Sequence, residues 1–106
     1  MRMLHFVATA TSDEVFVDST QVTAVKVTNA NTVIVYYNGT GSMGTAGVNI
    51  GFDTTTITAT AKSEVVALRL AGYMAATNVG GPSVLTVAAS TTPFTEVSAC
   101  VNAAVA

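Results

Sequence analysis

Charge is what this chain lacks most. Asp, Glu, Lys and Arg make up 9% of its 106 residues, while 50% are hydrophobic. An ordinary soluble domain carries roughly 25% charged residues. Long apolar runs are missing too: no stretch approaches the roughly 18 residues that a membrane helix needs, so a membrane span does not account for the deficit. The chain has too little charge to cover a normal monomer's surface. Thr, Ala, Gly, Ser and Asn fill the neutral positions. That composition suits a small β-rich body that buries much of its outside against copies of itself.

Basic residues are scarce as well. Arg2, Lys26, Lys62 and Arg69 are scattered along the chain, whereas a nucleic-acid binder usually shows a basic stripe. Generic phosphate binding by one copy is therefore not expected, although a ring could gather one Lys or Arg per subunit around a pore. The net charge of −2 offers little repulsion against association.

Cys100 is the single cysteine. This excludes an intrachain disulfide and with it the small secreted disulfide scaffold. A lone Cys most often behaves as a small buried hydrophobe. One His and one Cys cannot build a zinc site from N and S ligands within one subunit, and no cofactor is expected.

The first ten residues imitate a signal peptide, with Arg2, apolar residues and then Ala8-Thr9-Ala10. The apolar run is too short and His5 interrupts it, so we read a first strand and expect no secretion by this route. A chain of this length forms one domain, 1–106, and can bury one modest core without staples.

What is present reads mainly as strand. Leu4, Phe6 and Ala8 share one face of an extended segment, with Met3, His5 and Val7 on the other. Thr11-Ser12-Asp13 reads as a turn, and Val15-Phe16-Val17 as a short strand closed by Asp18-Ser19. A hairpin follows. Val22–Thr28 places Thr23, Val25 and Val27 on one face; Asn29-Ala30-Asn31 supplies turn chemistry; Thr32–Tyr37 returns. Val33, Val35 and Tyr37 then share one face and Ile34 and Tyr36 the other. Both faces are apolar, so we expect this strand to be covered on both sides, the second cover being another subunit.

The stretch Gly39–Gly47 has four glycines in nine positions and is costly to order. It is expected to be the most mobile internal segment. Val48, Ile50 and Phe52 suggest a further strand, and 55–59 another. Ser63 is a good N-cap, with Glu64 in the positive first turn. The helix near residues 63–77 is stopped by Asn78, Gly80, Gly81 and Pro82. Only Arg69 breaks its apolar interior, and a helix apolar nearly all round is buried. We therefore expect one side on the sheet and the other on a neighbouring copy. Arg69 should pair with a carboxylate, Asp53 or Glu96, or reach solvent at an interface rim. Leu85, Val87 and Ala89 suggest another strand, and Thr91-Thr92-Pro93 a turn. Last, Val97, Ala99, Val101, Ala103 and Val105 alternate with Glu96, Ser98, Cys100 and Asn102.

Little of this carries chemistry. His5 is the only imidazole; a triad could be imagined with Asp13, Asp18 or Asp53, but no spacing selects one. Gly41-Ser42-Met43-Gly44 is not a nucleophile elbow. Asp13, Glu14 and Asp18 lack the rest of an oxygen-ligand metal loop. The 39–47 glycines lack the Lys-Ser/Thr ending of a phosphate loop. Asn38-Gly39-Thr40 is formally a glycosylation sequon, but Asn-Gly is also a common tight-turn pair. Tyr36, Tyr37 and Tyr73 could stack on bases, but positive charge is missing. We take Tyr36, Tyr37, Arg69 and Tyr73 as candidate interface residues, and no catalytic residue is expected.

The segment Val22–Gly39, with its Asn-Ala-Asn turn and Tyr-Tyr-Asn-Gly strand end, resembles a group of small uncharacterised proteins of marine phage genomes and ocean metagenomes. The alanine-rich helix and the alternating last strand are in keeping with it, so about half of the chain is covered. The resemblance implies a phage or environmental origin, a virion-associated role, and the host cytoplasm or the virion as location. It brings no catalytic signature. The architecture to compare is a small, strongly bent barrel that closes into rings, similar to the Sm fold. Sm-like proteins place their helix before the first strand, whereas here the clear helix lies late.

The expectation is thus a mainly β (α+β) domain, a small antiparallel barrel or roll with one helix. Its expected role is that of a non-enzymatic, self-assembling structural or interaction protein, a homo-oligomer that also meets other virion proteins. The alternative is an Sm-like, ring-forming RNA-binding protein.

Overall fold

The computed structural model describes residues 2–10, 14–38, 54–75 and 84–103. The elements are β1 (Met3–Val7), β2 (Glu14–Asp18), a 3-10 turn (Ser19–Gln21), β3 (Val22–Asn29), β4 (Thr32–Tyr37), β5 (Thr54–Thr58), α1 (Ser63–Ala75), β6 (Val84–Val87) and β7 (Ala99–Ala103). The strand expected from Val48 and the mobile stretch 39–47 lie outside the described residues, as do the residues expected to stop the helix.

The strands form two sheets, ordered β2-β1-β6 and β3-β4-β5-β7. Every pairing is antiparallel except β1 with β6, which run parallel. That pair needs a crossover, and the long path through the second sheet and α1 supplies it. Among the described residues the sheets do not close into a barrel, which corrects the closed form of the expectation; a mainly β (α+β) fold of two sheets with one helix stands. The reason lies at the corners. Asp18 caps the 3-10 turn by accepting from Thr20 N (3.0 Å), and this turn carries the chain from β2 into β3. At the opposite corner Thr9 N donates to Cys100 O (3.0 Å) and Cys100 N to Thr9 Oγ1 (2.9 Å). Two corners are thus joined, while β3 and β6 remain at sheet ends.

The core follows the period-2 pattern of the strands. Leu4, Phe6, Val15, Val17, Leu85 and Val87 point inward from one sheet, and Val33, Val35, Tyr37, Ile57 and Cys100 from the other. Val66 and Leu70 of α1 belong to the same cluster. The helix and the three-stranded sheet therefore both lie on the Val33/Val35 side of the larger sheet. Ile34 and Tyr36, on its other side, are half-buried beside Thr54, Thr56 and the exposed Val101. The second cover expected for β4 is not supplied by any described element of this copy.

Two further expectations are corrected. Ser63 does not cap α1 by accepting a helix N–H; its hydroxyl donates to Asn29 O (2.6 Å). Nor does the last segment alternate from Val97 onward. Val97 is buried in a turn, bonded to Phe94 O (3.1 Å), and Ser98 N then turns to Thr58 O (2.8 Å). From Ala99 the inward residues are Cys100 and Asn102, and Val101 faces out.

Candidate functional site

Four places bring chemistry-bearing side chains together. The first is the outer face of the three-stranded sheet. The register sets His5 opposite Phe16 on β2 and opposite Thr86 on β6. The His5 and Phe16 rings stack at 4.1 Å, 4° from parallel. His5 Nε2 bonds Glu14 Oε1 at 2.5 Å, and Nδ1 meets Thr86 Oγ1 at 3.1 Å. A carboxylate only accepts, so the proton of a neutral ring sits on Nε2, and Nδ1 accepts from the Thr86 hydroxyl. This is the connectivity of a carboxylate–imidazole–hydroxyl triad. Of the aspartates imagined from the sequence, Asp18 takes no part in it and Asp13 and Asp53 lie outside the described residues; Glu14 and Thr86 supply the partners. No spacing could have selected them, because Thr86 lies 81 residues from His5.

Connectivity is not catalysis. Acyl transfer also needs donors converging on a developing oxyanion. Side chains stand perpendicular to a sheet, whereas its amides lie in the sheet plane. The amides of β1 and β6 therefore do not point above Thr86. The three side chains tie three strands together across this outer face.

The second place is the loop that follows β6. Arg69 ion-pairs with Glu96, and its Nη1 also donates to Pro93 O (2.7 Å). Its guanidinium lies 5.4 Å from the centre of the Phe94 ring. Glu96 was one of the two carboxylates named for it; Asp53 lies outside the described residues. The cation therefore holds a loop of its own copy against α1.

The third is a chain of polar groups inside the core. Tyr37 OH donates toward Thr54 O (3.2 Å) and lies 3.0 Å from Thr55 Oγ1. Thr55 donates to Asn102 Oδ1 (2.7 Å), and Asn102 Nδ2 donates to Phe6 O (3.2 Å). No buried side-chain N or O atom among the described residues lacks a partner. Tyr37 thus lies in the core of one copy, whereas Tyr36 sits half-buried on the outer face. Tyr73 OH donates to Met3 O (3.2 Å), beneath the guanidinium of Arg2 5.0 Å from its ring centre. On β7, burial pushes the Cys100 thiol from 9.0 up to about 11, which makes it inert at neutral pH. The Asp18 carboxyl is held below its ordinary value by the Thr20 N–H and hydroxyl.

The fourth is a shallow groove of about 380 Å³ between β3 and the second half of α1. Ser19, Val22, Thr23, Ala24 and Val25 line one wall and Ala71, Met74 and Ala75 the other. Nothing in it is charged. The sequence alone did not single it out, because its walls come from segments some fifty residues apart whose contact depends on the fold.

Among the described residues no group of three or more His, Cys, Asp or Glu side chains is placed to hold a metal ion. No described helix is long and apolar enough to cross a membrane. Compared with protein-family models, curated proteins and solved structures, the chain matches none.

Proposed function

We propose that this protein is a non-enzymatic, self-associating structural or interaction protein. The observation that carries the reading is the outer side of α1. Leu68 is 66% exposed and Val65 is 42% exposed, on a helix whose single cation is committed to Glu96. Large apolar side chains without a cover are the mark of an interaction surface. The outer face of the larger sheet, which no described element covers and where Val101 is 55% exposed, adds to it. The resemblance to marine phage proteins narrows the role to a virion-associated one.

Light scattering coupled to size exclusion tests the reading. A homo-oligomer at micromolar concentration is expected; a monomer overturns it. The Sm-like, ring-forming alternative requires cations that converge, yet Lys26 is on β3, Lys62 is in the turn before α1 and Arg69 is paired. Salt-dependent RNA binding would favour that alternative. The triad-like cluster is tested separately with an activated ester. No turnover dependent on Thr86 is expected, and activity lost in both folded His5→Gln and Thr86→Val variants would make the protein an enzyme.

A further inference from the structure

The β3 edge and the groove beside it fit each other when two copies meet. Strand β3 is eight residues long and ends its sheet. Natural edge strands are usually short, charged, broken by Pro or distorted. This one carries a single charge, Lys26, and its irregularities fall only at its two ends, between Val22 and Ala24 and between Val27 and Asn29. The four residues Ala24–Val27 pair regularly with β4, and no described strand pairs with their other edge.

An apolar knob and an apolar groove lie at opposite ends of that regular run. Val27, on the core side of the strand opposite Val33, is 44% exposed. Thr23, four residues earlier, lies in the groove with Val22, Ala71 and Met74. Antiparallel pairing of β3 with β3 of a second copy, with the two-fold axis at Val25, sets Val27 of each copy against Thr23 of the other. Both knobs then cover both grooves at once, as a two-fold interface requires. The fit of Val27 to the groove sets this register, and charge is compatible with it. An axis at Lys26 would set two lysines face to face, which is destabilising; with the axis at Val25 each Lys26 faces Ala24.

The helix agrees. Leu68, Ala71 and Ala75 follow the i, i+3, i+7 spacing of one helical stripe. Ala71 and Ala75 line the groove, and Leu68 is the most exposed large apolar side chain on α1. Two such stripes, mostly small, would meet across the axis above an eight-stranded sheet. The helix runs alongside the strand, with Ser63 bonded to Asn29 at one end and Ala75 beside Ser19 and Val22 at the other, so the two share one face roughly 26 Å long.

We propose that the β3 edge, the groove beside it and the Leu68 stripe form a two-fold dimer interface centred on Val25. This rests on the self-association reading and specifies its surface. The test uses single-cysteine chains in a Cys100→Ala background, Ala24→Cys and Lys26→Cys, both at exposed positions. Facing residues of an antiparallel pair have Cα atoms about 4.5–5.5 Å apart, within disulfide reach. A mixture of the two variants should oxidise to a covalent dimer, and neither should do so alone. Val27→Lys should raise the dimer dissociation constant at least about tenfold, as for an interface anchor. A protein that is oligomeric by light scattering, yet shows no mixed cross-link and is insensitive to Val27→Lys, overturns this interface and leaves self-association standing. A monomeric protein overturns both, including the case in which its groove takes only a foreign peptide.

Discussion

The Ser63 hydroxyl donates to the carbonyl of Asn29, 34 residues earlier, at 2.6 Å. This bond docks the first turn of α1 onto the tip of the β3–β4 hairpin. Its neighbours do the same: Ser63 N bonds Ala30 O (3.2 Å), Ala59 N bonds Asn31 O (2.8 Å) and Ala61 N bonds Asn31 Oδ1 (2.8 Å). Ala61 takes a left-handed φ of 58° to present that N–H. The two asparagines of the turn thus have different tasks. Asn29 closes the hairpin by accepting from Asn31 N (2.8 Å), and Asn31 receives the loop before the helix.

Ser63→Ala should therefore destabilise the fold by about 1–2 kcal/mol, the cost of leaving a part-buried carbonyl without its donor. Urea unfolding would read this as a lower midpoint with an unchanged slope. An exposed helix cap would show less at neutral cost to the hairpin. Amide exchange in Asn29–Thr32 of the variant should rise together with that of the first helical turn, because the Ser63 hydroxyl is one of the bonds that hold the two together.

The Tyr37–Thr55–Asn102 chain predicts an ordering of variants. Asn102 bonds Thr55 on one side and the Phe6 carbonyl of the other sheet on the other. Asn102→Ala should cost about 2–3 kcal/mol, because two groups lose their partner inside the core. Tyr37→Phe removes one hydroxyl while Thr55 keeps Asn102, and should cost about 1 kcal/mol. Equal losses in denaturant unfolding would show that the chain does not act through Asn102.

Arg69→Met keeps much of the side-chain volume and removes the charge. Arg69 is about one-third exposed, so solvent screens part of its attraction to Glu96. Its bond to Pro93 O and its place over Phe94 add to the ion pair. A loss of about 1 kcal/mol is expected, part of it recovered at high salt. Thermal melts of Arg69→Met, Glu96→Gln and the double variant measure the coupling. Additive effects would mean that the pair contributes nothing of its own.

Cys100 predicts a dependence on alkaline pH. Its folded thiol titrates near 11 instead of 9.0 because burial disfavours the thiolate. The unfolded chain therefore releases this proton first as pH rises. The stabilisation is complete below pH 9 and is lost between there and about pH 11. A thiol reagent at pH 8 should label the folded protein slowly and the urea-unfolded protein at once. Cys100→Ala should flatten that part of the stability profile.

Several elements were legible before any coordinates. The faces Leu4/Phe6/Ala8 and Val33/Val35/Tyr37 are buried as their alternation implies. The helix begins at Ser63 as its sequence suggests. Alternation states which residues share a face, and the chain carries that information locally. It does not state which face turns inward when both are apolar and small. In β7 the inward face is Cys100 and Asn102, because Asn102 has acceptor and donor partners waiting in Thr55 and Phe6, while Val101 faces out.

The sequence by itself determined the strand-rich composition, the helix that begins at Ser63 and the shortage of charge, since each is a property of neighbours along the chain. Only the tertiary structure decided the rest. It paired β1 with β6 in parallel, brought Glu14 and Thr86 to the two nitrogens of His5, and moved Ser63 from capping to docking. It also set Val22 and Met74 across one groove. All of these join residues far apart in the chain. Such contacts are selected by register and by the demand that buried polar groups find partners, and no local pattern encodes that selection.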